Sequence, residues 1–287
     1  MIIDKIYGLV IGQIIADILS NVSNINNQLG ALPEIKQPSD ADTLQIKVGQ
    51  WTEPSALLLS YINNIMSIPS EKLDAMRRVS TLHTGTCDGV FCGELKDYHS
   101  SLYTPILTCY YYTDFERTLQ VLKEEHADCT TKLWTAIVDL ALHDVPKKSI
   151  LNPLSYANLN LPEELYSIFD VGEEGTLYQI GEASTLLEQM KAVLHIFAYC
   201  RNFVDGMMHV VNYMNNPVLP ACLYGQLAGA FYGFTDIPPE WISTIQKRKY
   251  INNTISKLTR SPAISHVVKI EKKLQSEIEN EVQDQLN

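Results

Sequence analysis

With 287 residues, 46% of them hydrophobic, the chain is long enough to bury a sizeable core, and a charged fraction of 19% argues against a disordered chain and against a polytopic membrane protein. A formal net charge of -11 argues against nucleic acid as a partner, because that binding draws its affinity from Lys and Arg neutralising phosphates. Six scattered cysteines, Cys87, Cys92, Cys109, Cys129, Cys200 and Cys222, are too few and too irregular for a disulfide scaffold, so an intracellular, cytoplasmic location is expected.

The apolar opening from Ile6 to Leu19 is interrupted by Gly8, Gly12, Gln13 and Asp17 and is too short to cross a bilayer. No small-residue cleavage site follows, so neither a membrane anchor nor a signal peptide is expected. Residues 54 to 66 place Leu58, Ile62, Ile65 and Met66 on one helical face. Tyr110, Tyr111 and Tyr112 form a run of which at most one or two line any cleft, since adjacent helical positions point in different directions. Thr113 with Glu116 has the pattern of a capping box, and Asp128 is placed to cap the run to Leu142. Residues 183 to 200 form another core helix through Leu186, Met190, Val193, Leu194 and Phe197.

Polar connections at about 20 to 50, 84 to 104 and 145 to 182 read as long surface loops. Gly225, Gly229 and Gly233 leave one helix face without side chains, so another backbone can approach it inside the bundle. Pro239 suits a first helical turn before Trp241, and the basic cluster of Lys247, Arg248 and Lys249 reads as a solvated helix end. The last helix starts at Ser261 and Pro262 and carries Val267, Ile270, Leu274, Ile278 and Val282 as an apolar stripe. It either packs back on its own domain or, since the stripe is close to a heptad seam, pairs with a partner helix. No segment longer than a few residues alternates with the period of a strand. The expectation is an all-α, compact multi-helix orthogonal bundle over residues 1–250, with an amphipathic extension over 251–287.

Four stretches in order resemble the ADP-ribosylglycohydrolase family. GLVIGQIIADILS, from Gly8 to Ser20, is similar to its opening helix, and VGQWTEPSALLL, from Val48 to Leu59, to the stretch holding T-D-D-T. The segment from Phe203 to Gly233 resembles the one in which V-N-x-G-G-D-x-D-T precedes G-x-x-x-G-A-x-x-G, and IPPEW, from Ile237 to Trp241, matches I-P-x-x-W. The resemblance implies an all-α domain with a cleft where these loops converge, and two magnesium ions held by the Asp, Glu and Thr of the motifs. Such a pair of dications needs several carboxylates to offset its own repulsion.

Carried over residue by residue, T-D-D-T becomes Thr52, Glu53, Pro54 and Ser55, while D-x-D-T becomes Asn216, Pro217, Val218 and Leu219. The family's further Glu falls at Asn24, and its Gly-rich loop into M-R-x-x-P falls at Cys92 to Pro105, with Gly93 and Pro105 kept but no Met-Arg pair. One carboxylate, Glu53, stands where the family has several, which would leave about three uncompensated positive charges in a partly dry cleft at an idealised cost of tens of kcal/mol. No metal ligand set and no cofactor are therefore expected. Asp17, Thr52, Glu53 and Ser55 remain as vestigial catalytic candidates, Asp17 with a structural role open to it, and Gly93 and Asn216 as candidate ligand-binding positions.

His83, Cys87 and Cys92 are too loosely spaced for zinc, and His126 with Asp128 resembles a helix junction of the family. The reading is a pseudoenzyme that binds a protein partner through the old cleft or the C-terminal helix. Two rivals stay open: a metal-independent hydrolase using Glu53 or Asp17 as general base, and a reader that holds ADP-ribose or a nucleotide uncut. Richness in Ile, Asn and Tyr suits an AT-biased genome, a viral one included, for which the compartment would be the host cytoplasm.

Overall fold

The computed structural model describes residues 1–20, 49–67, 100–172, 183–214 and 217–286, and these are all-α, with no strand among them. The helices are α1 (Ile2–Ser20), α2 (Glu53–Ser67), α3 (Ile106–Tyr110), α4 (Phe115–Glu124), α5 (Cys129–Leu142), α6 (Lys147–Ile150), α7 (Leu186–Tyr199), α8 (Phe203–Tyr213), α9 (Val218–Tyr232), α10 (Pro239–Thr244), α11 (Arg248–Thr259) and α12 (Pro262–Leu286). None is long and apolar enough to cross a membrane.

The centre is the pair α1 and α9. A Cβ built on Gly8 or Gly12 would strike the backbone of Gly229 or Gly225, and the reverse holds for Gly225 and Gly229. Backbone therefore lies on backbone, which only glycine permits at these positions. Both helices are apolar nearly all round, as befits helices enclosed by others: α5, α7 and α8 pack on α9, and α2, α11 and α12 on α1.

Two buried glutamines face each other in this core, and each is hydrogen-bonded. Gln226 of α9 donates to Gln13 Oε1 and to the Leu102 carbonyl, both at 2.8 Å, and accepts from Trp134 Nε1 at 2.9 Å. Gln13 in turn donates to the Pro54 carbonyl at 3.1 Å. One buried chain of hydrogen bonds thus ties α1, α2, α5 and α9, where an unpaired amide would be costly.

Helix starts follow local chemistry. Asp128 caps α5 by accepting from Thr131 N–H at 2.6 Å, after His126 turns the chain through a left-handed φ of 57°. The box read at Thr113 and Glu116 is displaced by one residue: Asp114 is the cap of α4 and accepts from Arg117 N–H at 3.0 Å. A complete capping box does start α7, between Thr185 and Glu188. The described part of the connection expected at 145–182 is not irregular, since it contains α6 and two 3-10 turns, Pro153–Leu159 and Glu163–Phe169.

The boundary expected at residue 250 falls inside α11, whose Ile251, Thr254, Ile255 and Leu258 are buried. α12 begins at Pro262, although the Ser261 hydroxyl makes no hydrogen bond, and Ile264 is buried. Glu271 accepts from the Ile2 N–H at 2.9 Å, while Ile270 and Leu274 are 46% and 52% exposed. The first turns of α12 accordingly pack back on the body, and the described side chains beyond Glu271 leave it.

Candidate functional site

The start of α2 is held by α1. Asp17 is fully buried, and its carboxylate accepts from Thr52 N–H at 2.7 Å and from the hydroxyls of Thr52 and Ser55, each at 2.5 Å. A carboxylate here satisfies donors that a helix N-terminus leaves unpaired and complements its dipole. Pro54 costs nothing at this position, because its missing N–H would have had no helical partner. Burial pushes the Asp17 carboxyl above the usual range, against the pull of its bonds to Ser55 and Thr52. On α9, Gly225 faces Ala16, the neighbour of Asp17, and burial and then the Asp17 charge push the Cys222 thiol well up.

The structure thus brings together Asp17, Thr52 and Ser55 at the meeting of α1, α2 and α9. Glu53 is the first residue of α2 and is 7% exposed. Val218 and Leu219, half-buried, open α9 behind Pro217, which gives that helix no side-chain cap. Asn24, Gly93 and Asn216 lie outside the described residues, as do His83, Cys87 and Cys92. Thr52 is further fixed by its neighbours: Gln246 N–H donates to the Gly49 carbonyl at 2.9 Å, and Trp51 Nε1 to the Gln246 carbonyl at 3.0 Å.

Two groupings were not foreseen. Tyr61 of α2 donates to Glu125, beside Tyr103, with the tyrosine rings 4.8 Å apart. Cys200, Asp205 and His209 gather at the start of α8 with one potential ligand atom each, all within 4.8 Å of one another. The second carried a signal, since Asp205 and His209 are one helical turn apart. An apolar cavity of about 370 Å³ lies elsewhere, between the N-terminal end of α1 and α12, lined by Met1, Ile3, Tyr7, Phe234 and Val268 among others.

An all-helical body, in which a carboxylate on the first helix caps the second and a glycine-faced helix packs on the first, defines a helical bundle with its candidate cleft at converging helix ends. A model of the ADP-ribosylglycohydrolase family matches residues 110–266, more than half of the chain, and the chain belongs to that family. Over 147 residues it is 26% identical to the ADP-ribosylarginine hydrolase Tri1 of Pseudomonas putida (strain GB-1), a match covering 50% of this chain and only 38% of that relative. A solved structure described as an ADP-ribosylglycohydrolase-related protein complex has the same fold, with a TM-score of 0.65 at 20% identity over 91% of this chain and 98% of its own.

Proposed function

We propose that the chain is a non-catalytic relative of the ADP-ribosylglycohydrolases, without the magnesium pair, whose old cleft or C-terminal helix binds a protein partner inside the cell. The observation that carries this is the use made of Asp17. Its carboxylate is buried and bonded to both residues that flank Glu53 and Pro54, so it braces α2 and has no face toward a substrate. A hydroxyl that donates its proton keeps its lone pairs, so Thr52 and Ser55 do not decide the matter; charge does. Glu53 is the one acid of its motif, Pro54 has no side-chain oxygen, and Val218 and Leu219 present hydrocarbon at the start of α9. That donor set does not fit two dications, each wanting a nearly octahedral shell of oxygens.

The test is hydrolysis. Incubated with an ADP-ribosylarginine protein or with O-acetyl-ADP-ribose across a range of Mg²⁺ and Mn²⁺, the chain should release no ADP-ribose. Release that stops on chelation and in Glu53→Ala would overturn the reading. Release that ignores chelators yet stops in Glu53→Gln would identify a metal-independent hydrolase instead. A rise in Tm with ADP-ribose alone would identify a reader, because a ligand of the native state stabilises it by mass action.

A further inference from the structure

The Cys200, Asp205 and His209 grouping stands apart from the cleft. It shares no residue with the Asp17, Thr52 and Ser55 contacts, and its ligands come from the end of α7 and from α8. We propose that these three residues bind a single zinc ion, independently of what the cleft does.

The ligand atoms are delivered by local structure. Cys200 ends α7 and is 3% exposed, with both backbone groups committed: its N–H to Ile196 at 3.0 Å, its carbonyl to Lys147 Nζ at 2.5 Å and to Tyr232. Asn202 caps α8 by accepting from Asp205 N–H at 2.8 Å, and its own carbonyl accepts from the Tyr224 hydroxyl at 3.2 Å, so the first turn of α8 is pinned to α9. Asp205 and His209 then project from one face a turn apart, with Oδ1 and Nε2 3.7 Å from each other. A tetrahedral ion at about 2.0 to 2.3 Å from each ligand would set the ligand atoms about 3.3 to 3.7 Å apart. The Asp205–His209 contact is within about 0.4 Å of the lower end, where an oxygen–nitrogen pair falls, and the longest, at most 4.8 Å, closes with a side-chain shift of about 1 Å.

The chemistry selects the ion. A thiolate and a carboxylate together balance one dication, and a neutral imidazole completes a set of sulfur, nitrogen and oxygen that zinc accepts and magnesium or calcium does not. On binding, the thiol proton passes to the solvent as the sulfur–zinc bond forms. Asp205 and His209 have side chains 47% and 23% exposed, against a buried Cys200, so the ion enters from the solvent side and keeps a fourth position for water.

Cobalt alone, followed by zinc, tests this in the full chain. One Co²⁺ per chain should give a sulfur-to-cobalt charge-transfer band, which one equivalent of Zn²⁺ bleaches, with proton release visible as a buffer-dependent heat. Cys200→Ser should lose the band. His209→Ala, at the exposed side, should weaken uptake by at least about 10-fold, the lower loss known for outer-shell partners of metal ligands. A full-length chain with unchanged helical circular dichroism and no charge-transfer band would overturn the proposal. So would uptake undiminished in both variants, which would mark an adventitious ion held elsewhere.

Discussion

Glu125 is a carboxylate whose ionisation the fold opposes. Burial is the main cause, Glu124 adds to it, and the Tyr61 hydroxyl, 3.1 Å from both carboxylate oxygens, works the other way; the net result is a rise from 4.5 to about 7. Because the folded value exceeds the unfolded one, the native state holds a proton between pH 4.5 and 7 that the unfolded chain has released. Its contribution to stability is therefore complete below pH 4.5 and is lost as pH rises through about 7. Glu125→Gln keeps an acceptor for Tyr61 and removes the titration. Relative to the parent, its urea-derived unfolding free energy should grow steadily across that window and level off above it. Taking the difference cancels the similar slope of Asp139, which burial raises to about 6 despite the nearby His143. A difference that stays flat with pH would refute the assignment. Residues of this kind were hidden in the sequence. Gln13 read there only as a break in an apolar run, yet it bonds to Gln226 across 213 positions, a pairing that periodicity cannot reveal.

At the scale of the helices, the glycines did show through. Gly225 and Gly229 announced a bare face, and Gly8 and Gly12 supply the matching one on α1. A Cβ at Gly229 would run into the Gly8 backbone, which has no rotamer to change. Gly229→Ala must then push α1 from α9 through the middle of the core, and a loss of at least about 3 kcal/mol is expected, at the upper end for overpacking. Chemical denaturation, or failure to recover soluble protein, would register it; a variant as stable as the parent would show that the two helices do not meet as described. The core helices and the Asp128 cap were legible because apolar spacing and a capping side chain are local signals. The 3-10 turns of 153–159 and 163–169 were not, since they are held by contacts such as the Tyr156 hydroxyl on the Ile150 carbonyl at 2.6 Å, and Pro and Asn in the sequence spoke only of a loop.

For the molecule as a whole, the family could be read because its motifs mark helix ends that must converge, and Asp17 with Thr52 and Ser55 is such a convergence. Where the body stops was less legible, because an amphipathic stripe looks the same whether its partner is this chain or another. The structure divides α12 unevenly. Ile264 is buried, Val267 and Val268 are half-buried against the core, and Glu271 bonds the Ile2 N–H, whereas Leu274 stands 52% exposed. Burial of one Ile is worth about 1.5 to 3 kcal/mol, and the two valines add to it. Removing residues 262–287 should therefore cost about 3 kcal/mol or more, because it also uncovers Ile2 and the apolar cavity beside Tyr7. Removing only 275–287 should change the unfolding free energy by less than about 0.5 kcal/mol, as for surface changes generally. The two truncations, compared by urea denaturation at a single protein concentration, separate the roles. If the shorter one destabilises as much as the longer, the end of α12 is bound to something in the native assembly, and a stability that then rises with protein concentration would identify that something as a second copy of the chain.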